Sequence, residues 1–150
     1  MRATLSNQSE LELDVEDCAH ILIGFSPKDN RNQLIGSLNL DLIRHDTARL
    51  CTAIGENGSL RWNGLTGQVI IYRAGGNEWC ELFCHQHQRD DSYQAEWQNF
   101  IMCVTENSTP LITGDDGSKV LEFIEAARIS AASGYQVSVQ ETSQASKEKS

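Results

Sequence analysis

The first half of the chain alternates apolar and polar residues with a period of two, a pattern typical of β-strands that bury one face. Between Leu11 and Phe25 the odd positions are mostly apolar, and the even positions include several polar and acidic residues. A second run, from Leu34 to Ile43, follows a turn at 27–30. The same reasoning predicts four more strands, at 48–54, 60–62, 69–72 and from Glu78 onward. Short turns join these segments, so we expect six antiparallel strands in succession.

The dipeptide Asn57-Gly58 predicts the tightest of these turns. It lies between two apolar runs, and the central residues of a two-residue hairpin loop must both accept positive φ. The strand at 60–62 is therefore expected to return directly beside the strand at 48–54.

Beyond residue 91 the spacing of the apolar residues changes to that of an amphipathic helix. One helical stripe collects Tyr93, Trp97, Phe100, Ile101 and Val104. A second helix is expected to begin after 114–116, where an aspartate can cap the free amides, and to end at Gly134. Its apolar residues are Val120, Leu121, Ile124 and Ala127. A last strand is predicted at 135–139, and the polar stretch 140–150 is predicted to be a disordered tail.

Strands that precede helices predict an α+β fold, in which two helices pack on one face of an open antiparallel β-sheet of about six or seven strands. We expect a single domain at residues 1–139. The opposite sheet face carries apolar and aromatic positions, and a face of this kind is commonly covered by a partner. The sequence therefore predicts a homo-oligomer that forms through the open sheet face.

The charge balance narrows the classes of partner. Lysine and arginine number 12 against 21 aspartates and glutamates, which gives a net charge of −9. An acidic surface repels phosphate backbones and anionic lipids, so neither nucleic acid nor a membrane is an expected partner. The sequence has no apolar run long enough for a membrane helix and no signal-peptide core at its first residues. We expect a cytoplasmic protein whose five cysteines are reduced thiols.

The stretch WCELFCHQHQ, residues 79–88, places two cysteines and two histidines close together and raises the question of a metal site. Successive side chains of a strand point to opposite faces. On a regular strand Cys80 and Cys84 would share one face, and His85 and His87 would share the other. Four ligands divided in this way cannot surround one tetrahedral ion. No metal is predicted, and a metal-dependent enzyme is the least favoured interpretation.

No residue of the chain is predicted to be catalytic, and the sequence contains no cofactor-binding motif. Cys18, Cys51 and Cys103 lie within predicted strands or helices without an adjacent base that would activate a thiol. The acidic cluster at 12–17 alternates along a predicted strand and lacks the glycine-bearing turn of a calcium loop. Neither of the glycine-rich motifs that cradle nucleotides occurs in the chain.

Three stretches carry a family resemblance: SELELDVEDCAHILIGF at 9–25, GSLNLDLIRHDTARLCTAIGENGSLRWN at 36–63 and EWQNFIMCVTENSTPLITGDDGSKVLEFIEAARISAASGYQVSV at 96–139. The last stretch is the most specific. Its residues at the expected spacing are Phe100, Pro110, the turn at 114–117, the Glu-Ala-Ala run at 125–127, Ser130 and Gly134. Together the stretches resemble the C-terminal part of the Gfo/Idh/MocA family of NAD(P)-dependent oxidoreductases.

This resemblance implies an open antiparallel sheet that normally follows a Rossmann domain. In such enzymes the Rossmann domain holds NAD or NADP, and the C-terminal part shapes a sugar or polyol pocket and makes subunit contacts. No position of this chain matches the family's cofactor loop or catalytic lysine. The resemblance thus implies the substrate-binding and oligomerisation portion of such an enzyme, which is not catalytic alone and whose partner is the missing N-terminal Rossmann domain. The alternative is a stand-alone, non-catalytic dimerising or ligand-binding module of the same fold.

The corner at 44–47 departs from the family pattern, because related sequences often have Gln-Arg-Pro-Pro where this chain has Arg-His-Asp-Thr. A cationic patch on an acidic protein is suited to holding an acidic sugar. Arg44, His45 and Arg49 are therefore the candidate substrate-binding residues. The other interpretation of these residues is a polar corner between two strands.

Overall fold

The computed structural model describes residues 1–10, 12–27, 33–86 and 88–139. In this part of the chain seven strands precede two helices, and the predicted α+β class with antiparallel strands is confirmed. The strands are β1 (Arg2–Ser6), β2 (Cys18–Gly24), β3 (Ile35–Asp41), β4 (Leu50–Gly55), β5 (Gly58–Asn63), β6 (Gln68–Arg73) and β7 (Trp79–Cys84). The helices are α1 (Asp91–Glu106) and α2 (Gly114–Ser133). Some of the predictions fall outside the described residues: those for Leu11, the turn residues 28–30, His87 and the tail at 140–150.

The strands form two antiparallel sheets where the sequence suggested one. β1, β2 and β3 make a three-stranded sheet in that order, and β4, β5, β6 and β7 make a four-stranded sheet. The chain divides accordingly into two compact units. The first comprises Met1–Arg44 and the chain from Leu111 onward, and the second comprises His45–Pro110. The first unit therefore contains β1–β3 with α2, and the second contains β4–β7 with α1.

β1 was not predicted from the sequence, because it contains only two apolar residues, Ala3 and Leu5. The strand pairs with β2 over its whole length, from Arg2 opposite Leu22 to Ser6 opposite Cys18. Ala3 points into the core and is buried. A partner that is distant in sequence therefore defines this strand.

The strand predicted at 11–25 begins only at Cys18. The reason lies in Asp17, whose carboxylate accepts hydrogen bonds from the backbone N–H groups of Gln8 at 2.8 Å and Ser9 at 2.6 Å. These bonds draw the chain back to the end of β1, so the connection before β2 is irregular. The prediction that the acids in this segment alternate along a strand is therefore wrong.

α2 packs against β1, and small side chains make the contact close. Ala126 and Ala127 are almost completely buried and form the core of the first unit together with Met1, Ala3 and Ile21. Since an alanine side chain is a single methyl group, the helix backbone can approach the strand without leaving a void. By contrast, α1 contains no buried residue. Of the two helices that were predicted to pack on a sheet, α2 is therefore the one that does so.

Ser130 lies on the same face of α2 and is completely buried. Its hydroxyl accepts a hydrogen bond from the backbone N–H of Ala3 at 3.0 Å and donates one to the carbonyl of Tyr135 at 2.7 Å. A buried hydroxyl has lost its water, and these two bonds replace it. Ser130 thus connects β1 to the segment that follows the helix.

The start of α2 differs in detail from the prediction, and its end agrees. Thr113 is the N-cap: its hydroxyl accepts from the backbone N–H of Asp116 at 3.3 Å, and the Asp116 carboxylate accepts from the N–H of Thr113 at 3.1 Å. The expectation that an aspartate is itself the cap is therefore wrong, because Asp116 occupies position N3 of a capping box whose N-cap is Thr113. The hydrogen bond from the Thr113 backbone is the main cause that lowers the pKa of Asp116. Gly134 ends the helix in the left-handed region, with φ of 72°.

A hairpin joins β4 and β5 as predicted, but its loop residues are Glu56 and Asn57, one position earlier than the predicted 57–58. The expectation of positive φ at both loop residues is wrong, because neither Glu56 nor Asn57 has a positive φ. Gly55 and Gly58 form the pair that closes the loop. Gly58 has φ of 148°, and a Cβ atom there would lie 2.3 Å from the backbone oxygen of Tyr72. Glycine is required at this position because any side chain would collide with β6.

The strand predicted at 135–139 is not formed. Instead, Val137 pairs with the first residue of the chain: its N–H donates to the carbonyl of Met1 at 2.9 Å, and the Met1 ammonium group donates to the Val137 carbonyl at 2.6 Å. This segment is therefore attached at one residue, and it makes no continuous ladder with β1.

Candidate functional site

The hydrogen-bond register of the four-stranded sheet sorts its side chains into two faces, because residues directly opposite each other on neighbouring strands share a face. One face, called here the polar face, carries Leu50, Thr52, Ile54, Ser59, Arg61, Asn63, Gln68, Ile70, Tyr72, Trp79, Glu81 and Cys84. The other, called the apolar face, carries Cys51, Ala53, Gly55, Gly58, Leu60, Trp62, Val69, Ile71, Arg73, Cys80 and Phe83.

A cavity of about 390 Å³ lies at the polar face. The residues that line it are Leu50, Cys51, Thr52, Arg61, Trp62, Asn63, Gln68 and Ile70. Six of them belong to the polar face and form two rows across the strands, Leu50–Asn63–Gln68 and Thr52–Arg61–Ile70. Each row has an apolar residue at one end, and its other two residues are polar. This is the arrangement of many small-molecule sites, in which few polar groups are placed against an apolar surface.

Arg61 is held over the polar face by an aromatic ring. Its guanidinium carbon lies 4.3 Å from the centroid of the Trp79 ring, which is a cation–π contact. Trp79 packs edge-on against Tyr72 with the ring centroids 5.6 Å apart, and the Tyr72 hydroxyl donates to the carbonyl of Gly76 at 2.7 Å. Within the described part of the chain, no carboxylate forms an ion pair with Arg61.

The two amide side chains of the cavity are oriented by contacts outside it. The Oδ1 atom of Asn63 accepts from the backbone N–H groups of Leu65 at 2.9 Å and Thr66 at 3.3 Å, so its amide nitrogen is the group left to donate. The Nε2 atom of Gln68 donates to Oε2 of Glu81 at 2.7 Å, so its carbonyl oxygen remains an acceptor. The cavity thus presents a donor and an acceptor in defined orientations.

Arg49 repeats the arginine-on-tryptophan arrangement at the apolar face. Its guanidinium carbon lies 5.5 Å from the centroid of the Trp62 ring. The N–H of Gly64 donates to the Arg49 carbonyl at 2.7 Å, and a Cβ atom at Gly64 would lie 2.8 Å from the Arg49 side chain. Opposite faces of one sheet therefore carry two similar pairs, Arg61 with Trp79 and Arg49 with Trp62.

The three predicted substrate-binding residues are distributed over both compact units. Arg44 belongs to the first unit, where its Nε atom lies 3.5 Å from a carboxylate oxygen of Asp41. His45 and Arg49 belong to the second unit, and both are exposed. Their role in substrate binding stays a prediction.

The stretch at 79–88 begins with the predicted strand, β7, but its geometry is less regular than expected. A β-bulge shifts the register, so that Cys80 lies opposite Ile71 and Cys84 lies opposite Gln68. Because Ile71 and Gln68 are on different faces, the expectation that the two cysteines share a face is wrong. His85 stacks on Phe83 with the ring centroids 6.4 Å apart, as the predicted alternation requires. The described residues contain no cluster of three potential metal ligands.

The buried thiol of the first unit is poorly suited to nucleophilic chemistry. Burial, and then the neighbouring carboxylate of Asp17, raise the pKa of Cys18. The pKa of Asp17 itself is lowered from 3.8 to about 2, first by a hydrogen bond from the Ser9 side chain and also by the backbone N–H groups of Gln8 and Ser9. A nucleophilic cysteine needs a lowered pKa, so Cys18 is a structural residue.

The three-stranded sheet has a second, smaller cavity of about 270 Å³. His20 lines it, and the Nδ1 atom of this histidine lies 2.7 Å from Oδ1 of Asn39. Since an amide oxygen is an acceptor only, Nδ1 carries the hydrogen in this contact. The remaining lining residues are Arg2, Ala3, Thr4, Ile21, Leu22, Ser37 and Asn39.

The polar-face cavity was not predicted from the sequence, although the hairpin between β4 and β5 indicates part of its lining. Once the hairpin loop is fixed, counting outward along both strands places Thr52 opposite Arg61 and Leu50 opposite Asn63. The contribution of β6 and the position of Trp79 depend on longer connections and on the bulge. Local sequence patterns do not determine these features.

The fold and these surfaces define a class, an α+β domain with open antiparallel sheets and no nucleotide-binding motif of its own. A family model described as "Oxidoreductase family, C-terminal alpha/beta domain" matches residues 1–139, and the chain belongs to this family, Gfo/Idh/MocA, whose members are NAD(P)-dependent oxidoreductases. The resemblance noted in the sequence is thereby confirmed. No curated protein and no solved structure matches the chain significantly. Neither helix in the described residues is long and apolar enough to cross a membrane.

Proposed function

We propose that this domain is the substrate-binding and oligomerisation portion of a nicotinamide-dependent oxidoreductase that acts on a sugar or polyol-like substrate in the cytoplasm. The cofactor, NAD or NADP, would be held by a Rossmann domain, which this sequence does not contain. In this division of labour the present domain binds and orients the substrate, and the cofactor carries the hydride. The domain does not catalyse alone.

The observation that carries the proposal is that both helices have large apolar side chains exposed to solvent. On α1, Trp97 is 64% exposed and Phe100 is 54% exposed. On α2, Val120 is 58% exposed and Leu121 is 67% exposed. The apolar stripe of an amphipathic helix normally faces a core, and contiguous exposed apolar surface marks a contact site. A cofactor domain of the same enzyme is a neighbour that could cover such stripes.

The apolar face of the four-stranded sheet supports the oligomerisation part of the proposal. Its residues Leu60, Trp62 and Phe83 are 38%, 39% and 58% exposed. A broad face of this kind is suited to an interface with a second copy of the chain, because two such faces bury apolar area on each other. Sedimentation velocity tests this directly, and the expected species is a dimer or a larger oligomer.

A matched pair of variants makes the sedimentation experiment specific. Leu60→Glu places a charge on the apolar face and is expected to shift the protein toward the monomer, because a charge is costly in an apolar interface. Leu65→Glu makes the same exchange at an exposed residue of the turn between β5 and β6, and it should leave the oligomer unchanged. A monomeric wild-type protein, or equal dissociation in both variants, contradicts the proposed interface.

A stand-alone ligand-binding module is the second candidate, and the polar-face cavity favours it, because every residue that lines this cavity belongs to the second unit. The coding sequence upstream of residue 1 separates the two candidates. An in-frame Rossmann domain supports the oxidoreductase, and an in-frame stop codon supports the module.

A further inference from the structure

We propose that the polar-face cavity is a binding site for a small polyhydroxylated carboxylate, a sugar acid, and that Arg61 is the residue that recognises its carboxylate group. This site is distinct from the predicted corner of Arg44, His45 and Arg49. Binding here needs neither a cofactor nor hydride transfer, so the inference stands or fails separately from the proposed oxidoreductase function.

The dimensions of the cavity suit one sugar ring. Its rows are Leu50–Asn63–Gln68 and Thr52–Arg61–Ile70. Neighbouring strands are about 4.8 Å apart and residues two positions apart along a strand are separated by about 6.6 Å. The six side chains therefore frame an area of about 10 Å by about 7 Å, and a volume of about 390 Å³ accommodates a monosaccharide with its first water molecules.

The charge of the site indicates a carboxylate. Arg61 is stacked on Trp79 with its guanidinium carbon 4.3 Å from the ring centroid, and it has no ion-pair partner among the described residues. A planar guanidinium binds a carboxylate through two parallel hydrogen bonds. Stacking on an aromatic ring fixes the plane in advance, which reduces the entropy lost on binding.

The remaining groups are suited to hydroxyls. A hydroxyl both donates and accepts, and the cavity has the free amide nitrogen of Asn63, the free carbonyl oxygen of Gln68 and the hydroxyl of Thr52. Leu50 and Ile70 supply apolar surface for the C–H groups of a ring. The carboxylate of Glu81, which accepts from Gln68, repels any anion bound beside it, and it repels a doubly charged phosphate about twice as strongly as a singly charged carboxylate.

The test is a titration of the full chain with D-glucuronate, and with D-glucose as the neutral analogue of the same shape. Amide chemical shifts and calorimetry report the binding. We expect the shift changes at residues of the polar face, and a preference for glucuronate over glucose of about tenfold, since the charged group adds one charge-assisted bidentate contact.

Two variants assign the contact. Arg61→Met keeps an apolar stem and removes the guanidinium, and it should abolish the preference for glucuronate. Arg73→Met removes an exposed arginine at the end of β6 that does not line the cavity, and it should leave the affinity within about twofold of the wild type. Chemical shifts of β5 and β6 amides show whether each variant keeps the sheet.

Three results overturn the inference: no saturable glucuronate binding by the wild-type chain, shift changes confined to the apolar face, or an equal loss of glucuronate preference in Arg73→Met. Retention of the preference in Arg61→Met overturns the role assigned to the arginine.

Discussion

Replacing Ser130 by alanine removes one oxygen atom from the contact between α2 and β1. That oxygen accepts from the N–H of Ala3 at 3.0 Å and donates to the carbonyl of Tyr135 at 2.7 Å. Ser130 has no exposed surface and Ala3 is 6% exposed, so water cannot replace the lost acceptor without opening the helix contact. The variant therefore leaves a buried backbone N–H without a partner.

The expected loss of stability follows from three contributions. An unpaired buried amide costs about 1–3 kcal/mol, and the lost bond to the partly buried Tyr135 carbonyl about 0.5–1 kcal/mol. Alanine is the better helix former by about 0.5 kcal/mol, which offsets part of the loss. We expect the first unit to be destabilised by about 2 kcal/mol, which corresponds to about a 30-fold increase in its open population.

Native-state hydrogen exchange of the β1–β2 backbone amides measures this effect in the unit concerned. The three tryptophans, Trp62, Trp79 and Trp97, all belong to the second unit, so fluorescence-detected urea unfolding monitors that unit. Ser130→Ala should accelerate exchange in the first unit more than it shifts the tryptophan transition.

Ser133→Ala is the matched control on the same helix. The Ser133 hydroxyl donates to the carbonyl of Ile129 at 2.7 Å, but it is exposed, and its removal should change stability by less than about 0.5 kcal/mol. If the two variants exchange alike, the buried hydroxyl does not have the role described, and the close contact of α2 with β1 must rest on the alanines alone.

Two further predictions concern the hairpin and the acidic connection. Gly58→Ala should destabilise the second unit by roughly 2–5 kcal/mol in fluorescence-detected urea unfolding, because the new Cβ atom would lie 2.3 Å from the backbone oxygen of Tyr72. The control is Gly75→Ala, where φ is also positive but no atom lies near the new Cβ, and it should destabilise the unit by only about 1–2 kcal/mol. Asp17 has a pKa of about 2 in the folded chain against 3.8 ordinarily, so its protonation opposes folding. Stability should therefore fall as the pH drops from 3.8 toward 2, and Asp17→Asn, unlike the exposed Asp14→Asn, should weaken this acid dependence while lowering stability at neutral pH. Unchanged acid unfolding in Asp17→Asn contradicts the hydrogen-bond assignment.

The features that could be predicted from the sequence are those set by neighbouring residues. The hairpin at Asn57 follows from a local turn, and the end of α2 follows from the left-handed conformation of Gly134. The start of β2 could not be predicted, because the alternating pattern continues through residues 12–16 although the Asp17 carboxylate turns the chain there.

Long-range packing explains the remaining differences. The apolar stripe of α2 was expected to form the buried face, yet Val120 and Leu121 are exposed while Ala126 and Ser130 are buried. The contact is made by small residues because β1 lies close to the helix. The spacing of hydrophobic residues along a sequence does not show how large a side chain the contact can accommodate. Likewise, the bulge in β7 reverses the face of Cys84 relative to Cys80, which an ideal strand period does not anticipate.

The proposed function requires that this domain has no nicotinamide site of its own and serves a cofactor held elsewhere. The most direct test is a titration of the full chain with NADH, monitored by energy transfer from the tryptophans to the nicotinamide ring. We expect no saturable signal up to about 1 mM, the upper end of ordinary enzyme affinities. Saturable binding of NADH in the micromolar range would contradict it.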